Sequence, residues 1–284
     1  MSAHTQMFLS LLTWIYQFVG DYGWSIVVFT LLFRALIFPL DFYQKRAMKR
    51  QTDLNPKVAA LNKKYANDKD KLNQKTMELY REAKVNPLAG CLPLLIQLPI
   101  FFAFFAAIRT ISEQQTYELY SQALALGGAN VTPTSWYWIH NLWQPDTFTA
   151  TVIPAFNMVQ SFPAFANVTD YDTVMAPIIA QFEGFRNGWA ILPILAGGTS
   201  LLQSWLMSKN NPPPDPNAKQ TGTQKMMKYL FPIMSIFFCW TSSAAFSLYW
   251  TASNVGSMLS QLLADYILKR KDKAKAVEQG ELAK

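Results

Sequence analysis

Apolar residues in this chain collect into long runs set apart by polar, charged stretches. A helix that crosses a bilayer needs about 20 mainly apolar residues. Residues 22–40 meet that length with Arg34 as the only charge, and residues 87–108 meet it with Pro93 and Pro99 inside. Residues 189–207 are a third candidate. Residues 229–268 are too long for one span and too apolar for a loop. A tight turn near Thr241 to Ala244 is expected to split them into spans 229–243 and 244–268. The pattern predicts an all-α polytopic membrane protein with five transmembrane helices.

The segments between the runs carry patterns of their own. Over residues 1–21, Phe8, Leu11, Leu12, Ile15, Tyr16 and Val19 recur at helical spacing. That suits an amphipathic helix lying at the membrane interface, with a plain extension of the first span as the alternative. Residues 41–86 read as a helical hairpin. One arm runs from Asp41 to about Leu54, Asn55-Pro56 restarts a helix, Asn67-Asp68 turns, and a second arm returns to Lys84. Residues 109–187 form one long loop, in which Ser112 is a candidate cap for a helix ending at Gly127-Gly128. Trp136, Tyr137, Trp138 and Trp143 have the amphipathic character of interface anchors.

Charge orients these segments. Only 15% of residues are charged, against roughly 25% in a soluble domain. Of 25 Lys and Arg, twelve fall in 41–86, four in 208–228 and six in the basic tail 269–284. Cytoplasmic loops hold such an excess. The 41–86 hairpin and the tail are therefore expected in the cytoplasm, with the N-terminus and the 109–187 loop on the outer side of the membrane. The net charge of +7 flanks apolar runs instead of covering a soluble face. Anionic lipid headgroups explain it better than nucleic acid, and no sequence-specific nucleic-acid binding is expected. The hairpin's basic surface is either simply solvated or docks on lipid, ribosome or an arriving chain. Cys91 and Cys239 both lie in apolar stretches, which argues against a disulfide framework. The first thirteen residues hold no Lys or Arg, so no secretory signal is expected there.

Catalytic chemistry has little to work with. His4 and His140 lie outside the spans, no phosphate-cradling glycine loop or HExxH pair occurs, and Asp265 is the only acid within a span. No enzyme activity, metal or cofactor is expected. Arg34 is different, because an arginine deep in a span costs about 2.5–3.5 kcal/mol on insertion scales. It should face water or a partner inside the bundle, and Thr30 shares its helix face. On the last span, at about 100° per residue, Ser247, Trp250, Thr251, Asn254, Ser257 and Gln261 fall on one side and Leu248, Leu259, Leu262 and Leu263 on the other. Such a polar face either glues helices together or lines a wet cavity. Gln97 and Gln203 add two more amides within spans. Together these residues describe a hydrated, positively polarised groove with no counter-acid.

The stretches Thr30-Leu-Leu-Phe-Arg34, Phe38-Pro39-Leu40, Asn86-Pro-Leu-Ala-Gly-Cys-Leu-Pro-Leu-Leu-Ile-Gln-Leu-Pro-Ile100, Leu192-Pro-Ile-Leu-Ala-Gly197 and Leu248-Tyr-Trp250 with Ser253-Asn254 recur in one known family. The chain resembles the YidC/Oxa/Alb family of membrane protein insertases, in a short bacterial form. The resemblance implies five helices around a hydrophilic groove that is open to cytoplasm and lipid. It matches Arg34, Thr30, Gln203 and Trp250 to groove residues, to which the polar face adds Thr251 and Asn254. It matches Leu98, Pro99 and Phe101 to a slide for substrate helices. A Phe-Pro-Ala-Gly-like element before Leu248 is here Ser242-Ser243-Ala244-Ala245, a departure that bears on the hairpin of the last two spans.

The implied function is a membrane protein insertase and chaperone that moves short polar tails across the bilayer and releases apolar helices into it. The implied partners are nascent membrane proteins, the lipid bilayer, a translating ribosome and a Sec-type translocon. A small channel or solute carrier using the same cavity is the alternative, and an assembly factor is a third reading.

Overall fold

The structure is a computed structural model that describes residues 3–86, 92–128, 130–210 and 229–282. The 87–91 part of the second-span motif and the 211–228 loop lie outside the described residues.

Helix α1 (Ala3–Val19) and helix α2 (Tyr22–Thr52) are separate. Gly20 sits at φ 71, in the left-handed region that ends helices. Asp21 then accepts a hydrogen bond from the Trp24 backbone N–H at 2.7 Å and starts the next helix. Residues 3–19 thus form a helix of their own, separate from α2. Helix α2 continues past Leu40 for a further three turns with Pro39 inside it. The first arm of the 41–86 segment is therefore the end of α2 itself. Helices α3 (Asn55–Lys64) and α4 (Lys69–Glu82) pack as a pair. Pro56 lies in the first turn of α3, and Asp68 caps α4 by accepting from the Lys71 N–H at 3.0 Å.

Helix α5 runs unbroken from Leu92 to Leu126. The expected cap at Ser112 does not exist, because the helix passes straight through it. The Ser112 carbonyl accepts from the Thr116 hydroxyl at 2.7 Å in mid-helix, and residues 100–126 contain no glycine or proline to stop the run. The stop comes at Gly127 and Gly128, both at positive φ. Short helices α6 (Phe156–Val159) and α7 (Tyr171–Gln181) follow, then α8 (Ile191–Asn210), α9 (Phe231–Thr241) and α10 (Ala244–Leu282). Residues 269–282 of the basic tail continue α10 as helix. Among the described residues, two helical stretches combine the length and hydropathy to cross a membrane, 22–64, which takes in α2 and α3, and 191–209 within α8, and α9 is a shorter apolar helix.

The contacts divide the chain into two units. The first comprises Met1–Leu31, Ile100–Ser200 and Leu230–Asn254. Its centre is aromatic: Phe8 of α1 meets Phe29 and Phe104 at 5.6 and 6.0 Å, and Phe104 stacks on Tyr249 at 3.9 Å. Phe8, Leu12 and Ile15 bury one face of α1, each large side chain worth about 1.5–3 kcal/mol.

The 109–187 segment is a folded cap with a core of its own. Leu119, Tyr120 and Ala123 of α5 pack against Val131, Val152, Val159, Phe165, Tyr171, Met175 and Ile178. The Tyr120 hydroxyl donates to Asp170 at 2.6 Å, which pushes the phenol's pKa up to about 12.

A polar lock ties the cap to the helices. Asp146, fully buried, accepts from the N–H groups of Trp189 at 2.9 Å and Leu192 at 2.7 Å, and from the Trp138 indole at 3.3 Å. It thereby satisfies donors at the start of α8 that the helix itself leaves open. The first amides of α10 find partners in the same cap: Ala244 N–H donates to the Gln144 carbonyl at 2.9 Å and Ala245 N–H to Leu142 at 3.0 Å. The Ser242-Ser243-Ala244-Ala245 departure thus ends in a satisfied helix start. Trp143, expected as an interface anchor, is buried against Tyr22, whereas Tyr137 is 73% exposed beside Trp24.

The second unit comprises Leu32–Pro99, Leu201–Tyr229 and Val255–Lys284. The later part of α2 runs beside the later part of α10. Lys45 bridges Asp265 at 3.2 Å with both side chains largely buried, Lys49 pairs with Asp272, and the Lys271 ammonium sits 5.5 Å from the Phe42 ring centroid.

Candidate functional site

The predicted site residues fall into two groups. In the second unit, Arg34 donates from Nη2 to Oε1 of Gln97 at 2.9 Å, a bond between α2 and α5 that spans 63 residues of sequence. Gln203 of α8 donates to the Ser257 hydroxyl of α10 at 3.0 Å, and Gln261, one turn on, reaches the same hydroxyl at 3.5 Å. The unit also holds an acid that the sequence reading left out. Asp41 lies seven residues after Arg34 and so on the same face of α2. Arg34 is the charge that acts on its carboxylate, and the Ser260 hydroxyl of α10 is a polar neighbour that favours the ionised form. Arg34 is therefore not without a counter-acid, and the net positive character expected of the cluster is partly offset.

In the first unit, Ser200 of α8 is the hub. Its hydroxyl accepts from the Trp250 indole at 3.2 Å and from Asn254 Nδ2 at 2.9 Å, and donates to Ser235 of α9 at 3.1 Å. Asn254 is buried and also donates to the Thr199 hydroxyl at 3.0 Å. These bonds knit α8, α9 and α10, so here the polar face of the last span serves packing. Thr251 Oγ1 is buried and meets no hydrogen-bond partner among the described residues. Thr30 is 2% exposed, and its hydroxyl donates to the Ile26 carbonyl at 2.6 Å within its own helix.

The residues expected to form a slide also divide. Leu98 is 41% exposed and Pro99 is exposed, whereas Phe101 packs on Phe246 and Trp250 at 5.7 and 5.5 Å. Phe102, at 61% exposed, is the open aromatic of that turn. A run of four phenylalanines around Ala103 does not reveal which ring faces in. Ser200, Ser260 and Asp41 were equally hidden, because a short polar residue shows its role only through its partner on another helix.

Comparison with known proteins settles the family. The family profile described as 60Kd inner membrane protein matches residues 14–272. The chain belongs to this family. Members similar to it include the membrane protein insertase YidC of Fusobacterium nucleatum subsp. nucleatum, 32% identical over 254 residues that cover 89% of each chain. The YidC proteins of Leptospira interrogans serovar Lai and of Wolinella succinogenes are 31% and 32% identical over 92% and 96% of this chain. Those two are longer, and the alignments cover 34% and 39% of them, so the chain spans about a third of their length. A crystal structure of active YidC insertase with its first transmembrane domain resolved shares the fold, at TM-score 0.50 and 22% identity over 90% of this chain and 45% of that one. The YidC/Oxa/Alb resemblance is thereby borne out, and none of these relatives is named as a channel or carrier.

Proposed function

We infer that this YidC-family chain is a membrane protein insertase of the bacterial cell membrane. Its five spans cover residues 22–40, 87–108, 189–207, 229–243 and 244–268, with the α3/α4 hairpin and the end of α10 in the cytoplasm and the cap outside. Arg34 carries the reading. A guanidinium within a span, hydrogen-bonded to Gln97, must be solvated by polar groups or water, and Gln203, Ser257 and Gln261 add a further polar cluster in the same unit. A polar tail entering there crosses less hydrocarbon than it would through lipid. The apolar helix that follows meets exposed Leu98, Pro99 and Phe102 and leaves into the bilayer. Burial of apolar surface, about 25 cal/mol per Å², drives that second step.

The substrates in this reading are nascent membrane proteins with short polar tails. The basic hairpin and the end of α10 offer a cytoplasmic surface for lipid headgroups, a translating ribosome or a Sec-type translocon. Purified protein in lipid vesicles is expected to insert a single-span test protein with an acidic tail. Arg34→Ala should lower that insertion roughly tenfold and Arg34→Lys should keep most of it. Insertion by wild-type vesicles no faster than by protein-free ones would refute the function, and full activity of Arg34→Ala would remove Arg34 from it.

A further inference from the structure

Around Arg34 the second unit is not uniformly attractive to anions. Asp41 Oδ2 is buried and receives no hydrogen bond from any described residue. Gln261 Oε1, one turn before the Asp265 that pairs with Lys45, is buried and equally without a donor. The nearby cation does not answer this need, since Lys45 is engaged by Asp265 at 3.2 Å. Two buried acceptors, one of them a carboxylate, therefore lie on α2 and α10 with no donor of their own, each one helical turn before a partner of the Lys45–Asp265 bridge. Buried acceptors are costly when unmet, so such a pair takes its donors from groove water or from a chain that displaces that water.

We propose that Asp41 and Gln261 form an acceptor subsite for the ammonium, guanidinium or amide groups of a translocating tail, and that Asp41 sets the charge selectivity of the groove. This rests on the insertase reading. Arg34 draws acidic residues, and Asp41 both offsets that field and receives basic ones, so tails of either sign are accommodated. Without the carboxylate the site is purely cationic. One unit charge at side-chain distances, between water-like and protein-like screening, shifts the relative handling of acidic and basic tails by roughly fivefold.

The test compares two single-span proteins that differ only in three Asp or three Lys residues in the tail. Asp41→Asn should raise the ratio of acidic-tail to basic-tail insertion about fivefold, and Asp41→Glu should return it towards wild type. An unchanged ratio, including an equal fall for both tails, overturns the subsite. The isolated tail peptides, bound to purified full-length protein, give a readout that needs no insertion. Asp41→Asn should weaken the Lys peptide and spare the Asp peptide. If that binding shift appears while wild type inserts neither substrate, the insertase reading fails and the subsite stands. If binding and ratio both stay fixed while wild type inserts, the subsite fails alone. Should Asp41→Asn not fold, a photocrosslinker at Gln261 in the otherwise wild-type chain must capture the Lys tail in preference to the Asp tail, and equal capture refutes the subsite.

Discussion

Replacing Asp146 by Ala should loosen the cap from the start of α8. The wild-type carboxylate is fully buried and accepts three hydrogen bonds, from two backbone N–H groups and one indole. Hydrogen bonds to a charged group are worth about 1.5–3 kcal/mol each, and each donor left unsatisfied in a buried place costs about 1–3 kcal/mol. The negative charge at a helix N-terminus adds up to about 2 kcal/mol in partly buried geometry. Against this stands the desolvation of the carboxylate, several kcal/mol that the alanine variant no longer bears. These opposing quantities leave a net loss of about 3 kcal/mol. Asp146→Asn keeps shape and one acceptor and should lose about half as much. Unfolding of the detergent-solubilised protein, followed by the fluorescence of Trp138 and Trp189, reads the loss. Hydrogen exchange localises it, since the amides of Trp189 and Leu192 should exchange much faster in the variant. A change within about 0.5 kcal/mol with those amides still protected would show that the lock does not hold the cap.

Asn254→Ala removes a buried amide that bonds both Thr199 and Ser200. It should destabilise the α8–α10 contact by about 2 kcal/mol in the same unfolding measurement. Tyr120→Phe deletes the 2.6 Å bond to Asp170 and should cost about 2 kcal/mol at neutral pH. Its pH dependence follows from the raised phenol pKa. The neutral form is the one favoured by folding, so this stabilisation is complete below pH 10 and declines as pH climbs towards about 12. Tyr120→Phe should lack that part of the alkaline loss, measured by unfolding across pH 8–12.

Local signals in the sequence were strong where one helix decides the outcome. The apolar runs, the glycines after Leu126 and the break between Thr241 and Ala244 all depend on residues next to one another. Arg34 stood out because a charge in an apolar run is costly wherever the helix goes. The cap was illegible for the opposite reason. Its core joins Leu119 and Tyr120 to Phe165, Tyr171 and Met175, some 40–60 residues away and without any period. Asp146 looked like an ordinary loop acid, since only the fold brings it to the first turn of α8. Thr30 and Phe101 carried the expected identities, yet helix rotation turns both towards packed surroundings. Asp41 escaped notice because it stands one residue beyond the apolar run, and only α10 shows that it faces inward.

The central claim is that the helix surface around Arg34 is wet while neighbouring surface is not. Single cysteines at Gln97, Gln203 and Leu259, in a background with Cys91 and Cys239 replaced, measure this with a water-soluble maleimide added to inside-out vesicles. Maleimide reacts with the thiolate, which forms only where water reaches. Cysteines at Gln97 and Gln203 should label readily and one at Leu259, 58% exposed in the protein on the apolar side of α10, should not. Equal silence at all three positions would mean a dry bundle and would contradict the account.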